Sequence, residues 1–221
     1  MEQYARSVRY NDEDVRHRLK DRKIQEIKIG ATKTIGDYVI NEQVRRFLAR
    51  ENNALTLIVE NTEHLLRLLD ENQLDFAIVE GYFDKRQYAC RCLRKEPFVG
   101  ICQKGHRFAG KEITVPQLMD ETIIHREKGS GTRAILEQRL LGYNESFVHS
   151  HRNICISSFK LILEMVRSGA GVSFVYKVLA DSEPDLAQFT IQGENIVREF
   201  NLVWLKNANI QEKLQLFFGD K

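Results

Sequence analysis

From residue 24 to residue 79 the chain alternates short apolar segments with amphipathic ones, and that rhythm constrains the fold more than any other feature. Ile24-Gln25-Glu26-Ile27-Lys28-Ile29 carries the near period-two spacing of a strand. Ile35, Val39, Ile40, Val44, Phe47 and Leu48 then fall on one helical stripe, with Thr34 placed as its N-cap. A second strand follows at residues 55–59, a helix around Leu65, Leu66, Leu68 and Leu69, and a third strand at residues 75–79. The order is βαβαβ. Parallel strands joined by helices are covered on both faces, which explains strands that are apolar without clean alternation.

After Gly81 the rhythm breaks. Residues 88–93 and 98–102 read as two successive strands joined by Arg94-Lys95-Glu96-Pro97, too short a link for a crossover helix. A second α/β set is predicted beyond them: a helix at 115–119, a strand at 122–125, a helix at 132–141, a strand near Phe147, a helix at 158–168 and a strand at 172–175. A long strand at 196–205 and a closing helix marked by Ile210, Leu214 and Phe217 complete the chain. The predicted fold class is therefore α/β, two α/β lobes joined by two crossovers near residues 88–96 and 190–197. Lobe I takes residues 24–89 and 195–221, lobe II residues 90–194, with a ligand cleft between them.

Residues 1–23 differ in kind. They are polar, lack Gly and Pro, and carry Tyr4, Val8, Val15 and Leu19 at steps that suit one helical stripe, either a seam for a second copy or a solvated lead-in. They also lack the apolar centre of a secretory signal, and no segment reaches the ~18–20 apolar residues of a membrane span, so a cytoplasmic protein without a membrane partner is expected. With 33 Lys+Arg against 31 Asp+Glu the chain is nearly neutral, which weakens the case for broad nucleic-acid binding by this chain alone. Cys90, Cys92, Cys102 and Cys155 have no CxxC spacing and read as reduced, mostly buried thiols.

The segment His125-Arg126-Glu127-Lys128-Gly129-Ser130-Gly131-Thr132-Arg133 lies between a predicted strand and a predicted helix. Its glycines let the backbone bend and approach a guest, and its hydroxyls stand beside the unpaired amides of a helix start, so it is either an anion site or a capped turn without a ligand. It is not a nucleotide P-loop. Gly30-Ala31-Thr32-Lys33-Thr34-Ile35-Gly36 and Ile154-Cys155-Ile156-Ser157-Ser158 are junctions of the same polar kind, and in a two-lobed fold all three face the cleft. His149 and His151 would share one side of a strand, but no third ligand accompanies them, and no metal site is predicted. No nucleophile with a partner base is recognisable, and neither an enzyme nor a cofactor is expected.

These pieces, in this order, resemble the effector-binding domain of LysR-type transcriptional regulators from about residue 25 to residue 207. Residues 27–38 are similar to that family's first strand and helix, Asp75-Phe76-Ala77-Ile78-Val79-Glu80-Gly81 to the strand ending its first lobe unit, and Pro97, Gly105-His106-Arg107-Phe108 and Ile113 to its entry into the second lobe. Arg126 to Arg133 resembles its Gly-Ser-Gly-Thr-Arg form, and residues 166–172 its late helix end. Asn41, where members usually carry proline, and Tyr176, where a Leu-Pro pair is common, depart from the pattern. The resemblance implies a periplasmic-binding-protein-like (type 2) domain that senses a small effector, expected here to be anionic. Effector contacts are implied at Thr32, Thr34, Gly129, Ser130, Gly131, Thr132, Ser157 and Ser158. It further implies a homodimer or tetramer, and DNA contact only through a helix-turn-helix domain missing before residue 25, with residues 1–23 as the tail of a linker helix. The competing readings are a transporter's solute-binding protein and an enzyme on the same fold.

Overall fold

The computed structural model describes residues 24–80 and 83–219. The expected helical stripe at residues 1–23 lies outside the described residues, as does Gly81.

The opening rhythm folds as read. β1 (Gln25–Ala31) pairs in parallel with β2 (Asn53–Val59) on one side and β3 (Phe76–Val79) on the other. α3 (Thr62–Asp70) packs Leu65, Leu68 and Leu69 with Leu74, Ala77 and Val203. Each such side chain removed from water contributes about 1.5–3 kcal/mol. One expectation fails here: the stripe from Ile35 to Leu48 is two helices, α1 (Lys33–Tyr38) and α2 (Asn41–Leu48), broken at Val39-Ile40. Asn41, with an amide where proline has none, opens α2 and donates from Nδ2 to the Asp37 carbonyl at 2.8 Å. The N-cap position of α1 is Thr32, not Thr34.

The larger correction concerns the lobe connection. The two strands expected on either side of Arg94-Lys95-Glu96-Pro97 are one 16-residue strand, β4 (Tyr88–Gln103). Its first part, up to Pro97, pairs antiparallel with β10 (Val197–Leu205), and β10 pairs with β3. From Phe98 onward β4 pairs instead with β8 (Val172–Tyr176) and β9 (Leu186–Ile191). Pro97 has no N–H to give a neighbour, and it stands where the partners change, a position that tolerates the loss. The return strand stays close, because the Phe98 amide donates to the Ile196 carbonyl at 2.8 Å.

In the second lobe β6 (Thr122–His125) lies between β8 and β7 (Arg152–Cys155), all parallel. β5 (Glu112–Ile113) pairs with β9. α4 (Val115–Met119) begins on a Thr114/Gln117 capping box, and α5 (Gly131–Gly142) follows β6. α6 (Phe159–Arg167) buries the expected face of Phe159, Ile162, Leu163 and Val166. The strand expected near Phe147 is a 3-10 turn, Phe147–His149, so His149 and His151 do not share a strand face; His149 pairs with Glu145 at 2.8 Å. α7 (Lys177–Asp181) follows β8 directly, with Tyr176 at its N-cap position, and α8 (Gln211–Phe218) docks Phe217 against Phe47 and Phe76. Of the cysteines only Cys102 is fully buried; Cys90 is half-buried, and Cys92 and Cys155 are exposed.

One side chain ties the two lobes at the crossover. Glu96 on β4 is 2% exposed, pairs with Arg94, and accepts a hydrogen bond from the Val178 amide in the first turn of α7 at 2.7 Å. Glu96→Ala leaves that amide and the guanidinium without an acceptor, and a loss of about 2–3 kcal/mol is expected. Differential scanning calorimetry reads this as a fall of several degrees in Tm.

Candidate functional site: a polar nook between the lobes

The carboxyl ends of the parallel strands point toward one another across the lobe boundary, where ligands of open α/β sheets collect. Thr32 follows β1, Glu60 follows β2 and Glu80 follows β3; from the other lobe Arg126 follows β6. In lobe I these polar positions follow directly on strands whose last residues are apolar, most completely β3, which is buried throughout. Between them lies a nook of about 60 Å³, lined by Thr32, Lys33, Glu60, Asn61, Thr62 and Glu80 from lobe I. From lobe II it is lined by Arg126, Glu127, Ser130, Gly131, Thr132 and Phe159. At roughly 10–15 Å³ per water centre this is room for a few waters or one small oxyanion group. Past Glu80 and Gly131 the cleft widens into a chamber of about 430 Å³ toward the crossover strands, lined by Lys85, Lys95, Ile135 and Arg198 among others.

Of the eight residues proposed from sequence, four meet here: Thr32, Ser130, Gly131 and Thr132. Thr32, Ser130 and Thr132 are all buried, and the Ser130 and Thr132 hydroxyls lie 2.9 Å apart in a hydrogen bond. Ser130 therefore does not spend its hydroxyl on capping α5, and the first-turn amides of that helix have no intrahelical acceptor. Thr32 Oγ1 is buried and finds no hydrogen-bond partner among the described residues. Thr34 is fully buried behind it, with its own Oγ1 in the same condition, and does not line the nook. Gly129 shapes the loop rather than the wall: its φ of +90° is a left-handed value that glycine adopts without strain. Ser157 and Ser158 are exposed and line a neighbouring open groove with Lys33, Asp37 and Tyr38, where Ser158 caps α6 by accepting from the Leu161 amide.

Other residues that line the nook are not among the eight contacts expected from sequence. Arg126 is 5% exposed, its guanidinium held by Glu127 through two bonds of 2.7 Å and laid over the Phe159 ring at 4.3 Å. Burial works against the Glu127 carboxylate, but the Arg126 bonds, its own backbone amide and the charges of Arg126 and Lys33 together outweigh it and keep its pKa below the ordinary value. Glu80 is the opposite case. Burial pushes its carboxyl up to about 8, against the weaker opposing pull of its own backbone amide and of Arg126. Its Oε2 is buried without a hydrogen-bond partner among the described residues. The available signal was position alone: an acid directly after a fully apolar strand, at the carboxyl end of a parallel sheet. Among the described residues no group of three or more His, Cys, Asp or Glu side chains could hold a metal ion.

Two α/β lobes sharing their crossover strands, with strand ends and a helix start converging on an interlobe nook, define a periplasmic-binding-protein-like (type 2) ligand domain. Residues 20–219 match the LysR substrate binding domain family, and the chain belongs to that family. It is 26% identical over 193 residues to the HTH-type transcriptional regulator CysL of Bacillus subtilis (strain 168), covering 86% of this chain and 59% of CysL. It is 27% identical over 203 residues to the RuBisCO operon transcriptional regulator of Allochromatium vinosum, covering 90% of this chain and 66% of that protein. The chain thus spans about three fifths to two thirds of the length of these relatives. The fold is that of the Synechocystis PCC6803 CcmR regulatory domain in complex with 2-PG, with a TM-score of 0.76 at 22% identity, covering 88% and 94% of the two chains. Among the described residues no helix is long and apolar enough to cross a membrane.

Proposed function

We propose that the chain is the effector-sensing part of a LysR-type, DNA-binding transcriptional regulator, and that a small anionic metabolite binds in the nook between its lobes. The observation that carries this reading is the set of buried hydroxyls there, above all Thr32 Oγ1, which has no hydrogen-bond partner among the described residues. A buried polar group left in that state costs about 1–3 kcal/mol, which a ligand oxygen would recover. The Ser130 and Thr132 hydroxyls and the free amides of the α5 first turn add donors suited to negative charge. The wider chamber gives room for the rest of the molecule. The 2-PG, shikimate and benzoate bound by structural neighbours are small acids, in keeping with such a guest.

In this reading Gly129 sets the loop, while Thr34, Ser157 and Ser158 support the contacts from outside the nook. Lobe I comprises residues 24–97 and 197–219 and lobe II residues 98–196, with the boundary placed where β4 changes partners rather than at residue 89. The chain pairs with a second copy, reaches DNA through a helix-turn-helix domain, and works in the cytoplasm. Effector binding acts by favouring one arrangement of the lobes over another, so the ligand must bind one of them more tightly.

A thermal-shift screen of small carboxylates and phosphoesters tests the reading. At least one compound is expected to raise Tm, and Ser130→Ala with Thr132→Ala to weaken its binding by about 5- to 150-fold, given about 0.5–1.5 kcal/mol for each of the two lost hydrogen bonds. A ligand whose affinity the double variant leaves unchanged removes the nook from the function.

A further inference from the structure

Glu80 stands between the nook and the wider chamber and lines both. It follows the fully buried strand β3, and its Cγ lies so near the start of α5 that a Cβ on Gly131 would touch it at 3.8 Å. The carboxyl is therefore placed where the nook meets the chamber, beside the first turn of α5. Its Oε2 is buried and has no hydrogen-bond partner among the described residues. The nearby cation, Arg126, is bonded through Nε and Nη2 to Glu127, and no hydrogen bond joins it to Glu80 Oε2.

The other charged groups do not change this balance. On the nook side Lys33 faces Glu60 and Glu127 as well as Glu80. On the chamber side are Lys85, Lys95, Arg198 and Glu199, with Lys85 bonded to Glu199 at 3.2 Å and Arg198 to Gln138 at 3.1 Å. A desolvated carboxyl with no dedicated cation prefers its neutral form, which turns an acceptor into a donor. The raised carboxyl value noted above points the same way.

We infer that Glu80 enters ligand recognition as a carboxylic acid, donating a hydrogen bond from its buried oxygen to an oxyanion seated in the nook, so that an ionised Glu80 must first regain its proton for the anion to bind. This rests on the cleft reading and deepens it: the guest is an oxyanion that a neutral acid can serve, a carboxylate or a phosphoester, and its affinity depends on pH through one residue. A cationic guest would call for the opposite protonation state. The size of the nook agrees, since its volume of about 60 Å³ leaves the body of any larger ligand to the chamber of about 430 Å³.

The probe is sulfate, which does not itself titrate in the range concerned. Isothermal titration of sulfate into the chain, at constant ionic strength from pH ~6.5 to ~9.5, is expected to give a level affinity up to about pH 8 and a tenfold fall per pH unit above it. Glu80→Gln keeps a donor but cannot ionise, and its profile is expected to stay flat. The wild-type chain is also expected to take up close to one proton per sulfate near pH ~9, read from the dependence of the heat on buffer ionisation enthalpy. Parallel profiles for the two chains, or binding at pH ~9 without proton uptake, overturn the role of Glu80 and leave the cleft reading intact. No sulfate binding at any pH also overturns it, and the metabolite screen then decides the cleft reading separately.

Discussion

Glu80→Gln is expected to stabilise the ligand-free chain by several kcal/mol at pH ~9 while leaving stability at pH ~4 nearly unchanged. The sign follows from linkage. The carboxyl has its ordinary value of 4.5 in the unfolded chain and about 8 in the folded one. Between those values the native state holds a proton that the unfolded state has released, so stability falls as pH rises, by about 1.4 kcal/mol per unit for this one group. Below pH ~4.5 both states are protonated and the group contributes no difference; above pH ~8 the full penalty, on the order of 5 kcal/mol, is present. Glutamine fills almost the same volume and never carries the charge. Urea unfolding of both chains at pH ~5, ~7 and ~9 reads the difference directly, and curves that keep a constant spacing would remove the buried, uncompensated carboxyl from the account.

The second large effect is steric. Gly100 lies in the part of β4 that has entered lobe II, opposite Phe174 on one neighbouring strand and Phe189 on the other. The Phe189 ring covers it so closely that an added Cβ would come within 2.3, 2.4 and 2.5 Å of three ring carbons. The ring has nowhere to retreat, because Phe108 and Phe174 hold it at centroid distances of 5.3 Å each and it is 2% exposed. Gly100→Ala is therefore expected to cost about 3 kcal/mol or more, at the upper end of what one extra methyl does in a full core. Phe189→Leu in the same chain should return part of that loss, a coupling read by a double-mutant cycle. A loss below about 1 kcal/mol for Gly100→Ala would mean that the ring moves freely.

How far the sequence carried can be judged from single segments. β1, β2, β3 and the buried face of α6 were legible because their apolar spacing is set locally by the pleat and the helical turn. β4 was misread as two strands because Arg94-Lys95-Glu96-Pro97 has the composition of a turn. Its charges are explained only by partners far along the chain: Glu96 is buried against the Val178 amide and Arg94 is bonded to it. The short strand β5, with two residues, and the mixed strand β9 carry too little pattern to be seen. The helix break at Val39-Ile40 does not interrupt the apolar spacing, so the stripe concealed it.

The site was half legible for a similar reason. Hydroxyls and glycines at strand-to-helix junctions pointed to Thr32, Ser130, Gly131 and Thr132, because backbone chemistry at a helix start is local. The separation of Ser157 and Ser158 from them depends on how the lobes meet. Glu80 is the clearest case. An acid at the end of a strand is unremarkable on paper, and its character comes from lobe II closing over it, with an arginine near by whose fork another acid already fills.

The unbroken course of β4 has a mechanical meaning. Two bodies joined by flexible cords can swing in any direction, but here a continuous ribbon, braced by β10, passes through both. β10 carries a register irregularity at Phe200/Asn201, opposite β4 just before the Pro97 partner change. The shift passes over Leu93 on β4, so an unpaired residue and the missing donor of Pro97 stand four positions apart on the same strand, where the ladder between the lobes is least regular. Any change in how the lobes meet at the nook must therefore be accommodated along this one strand.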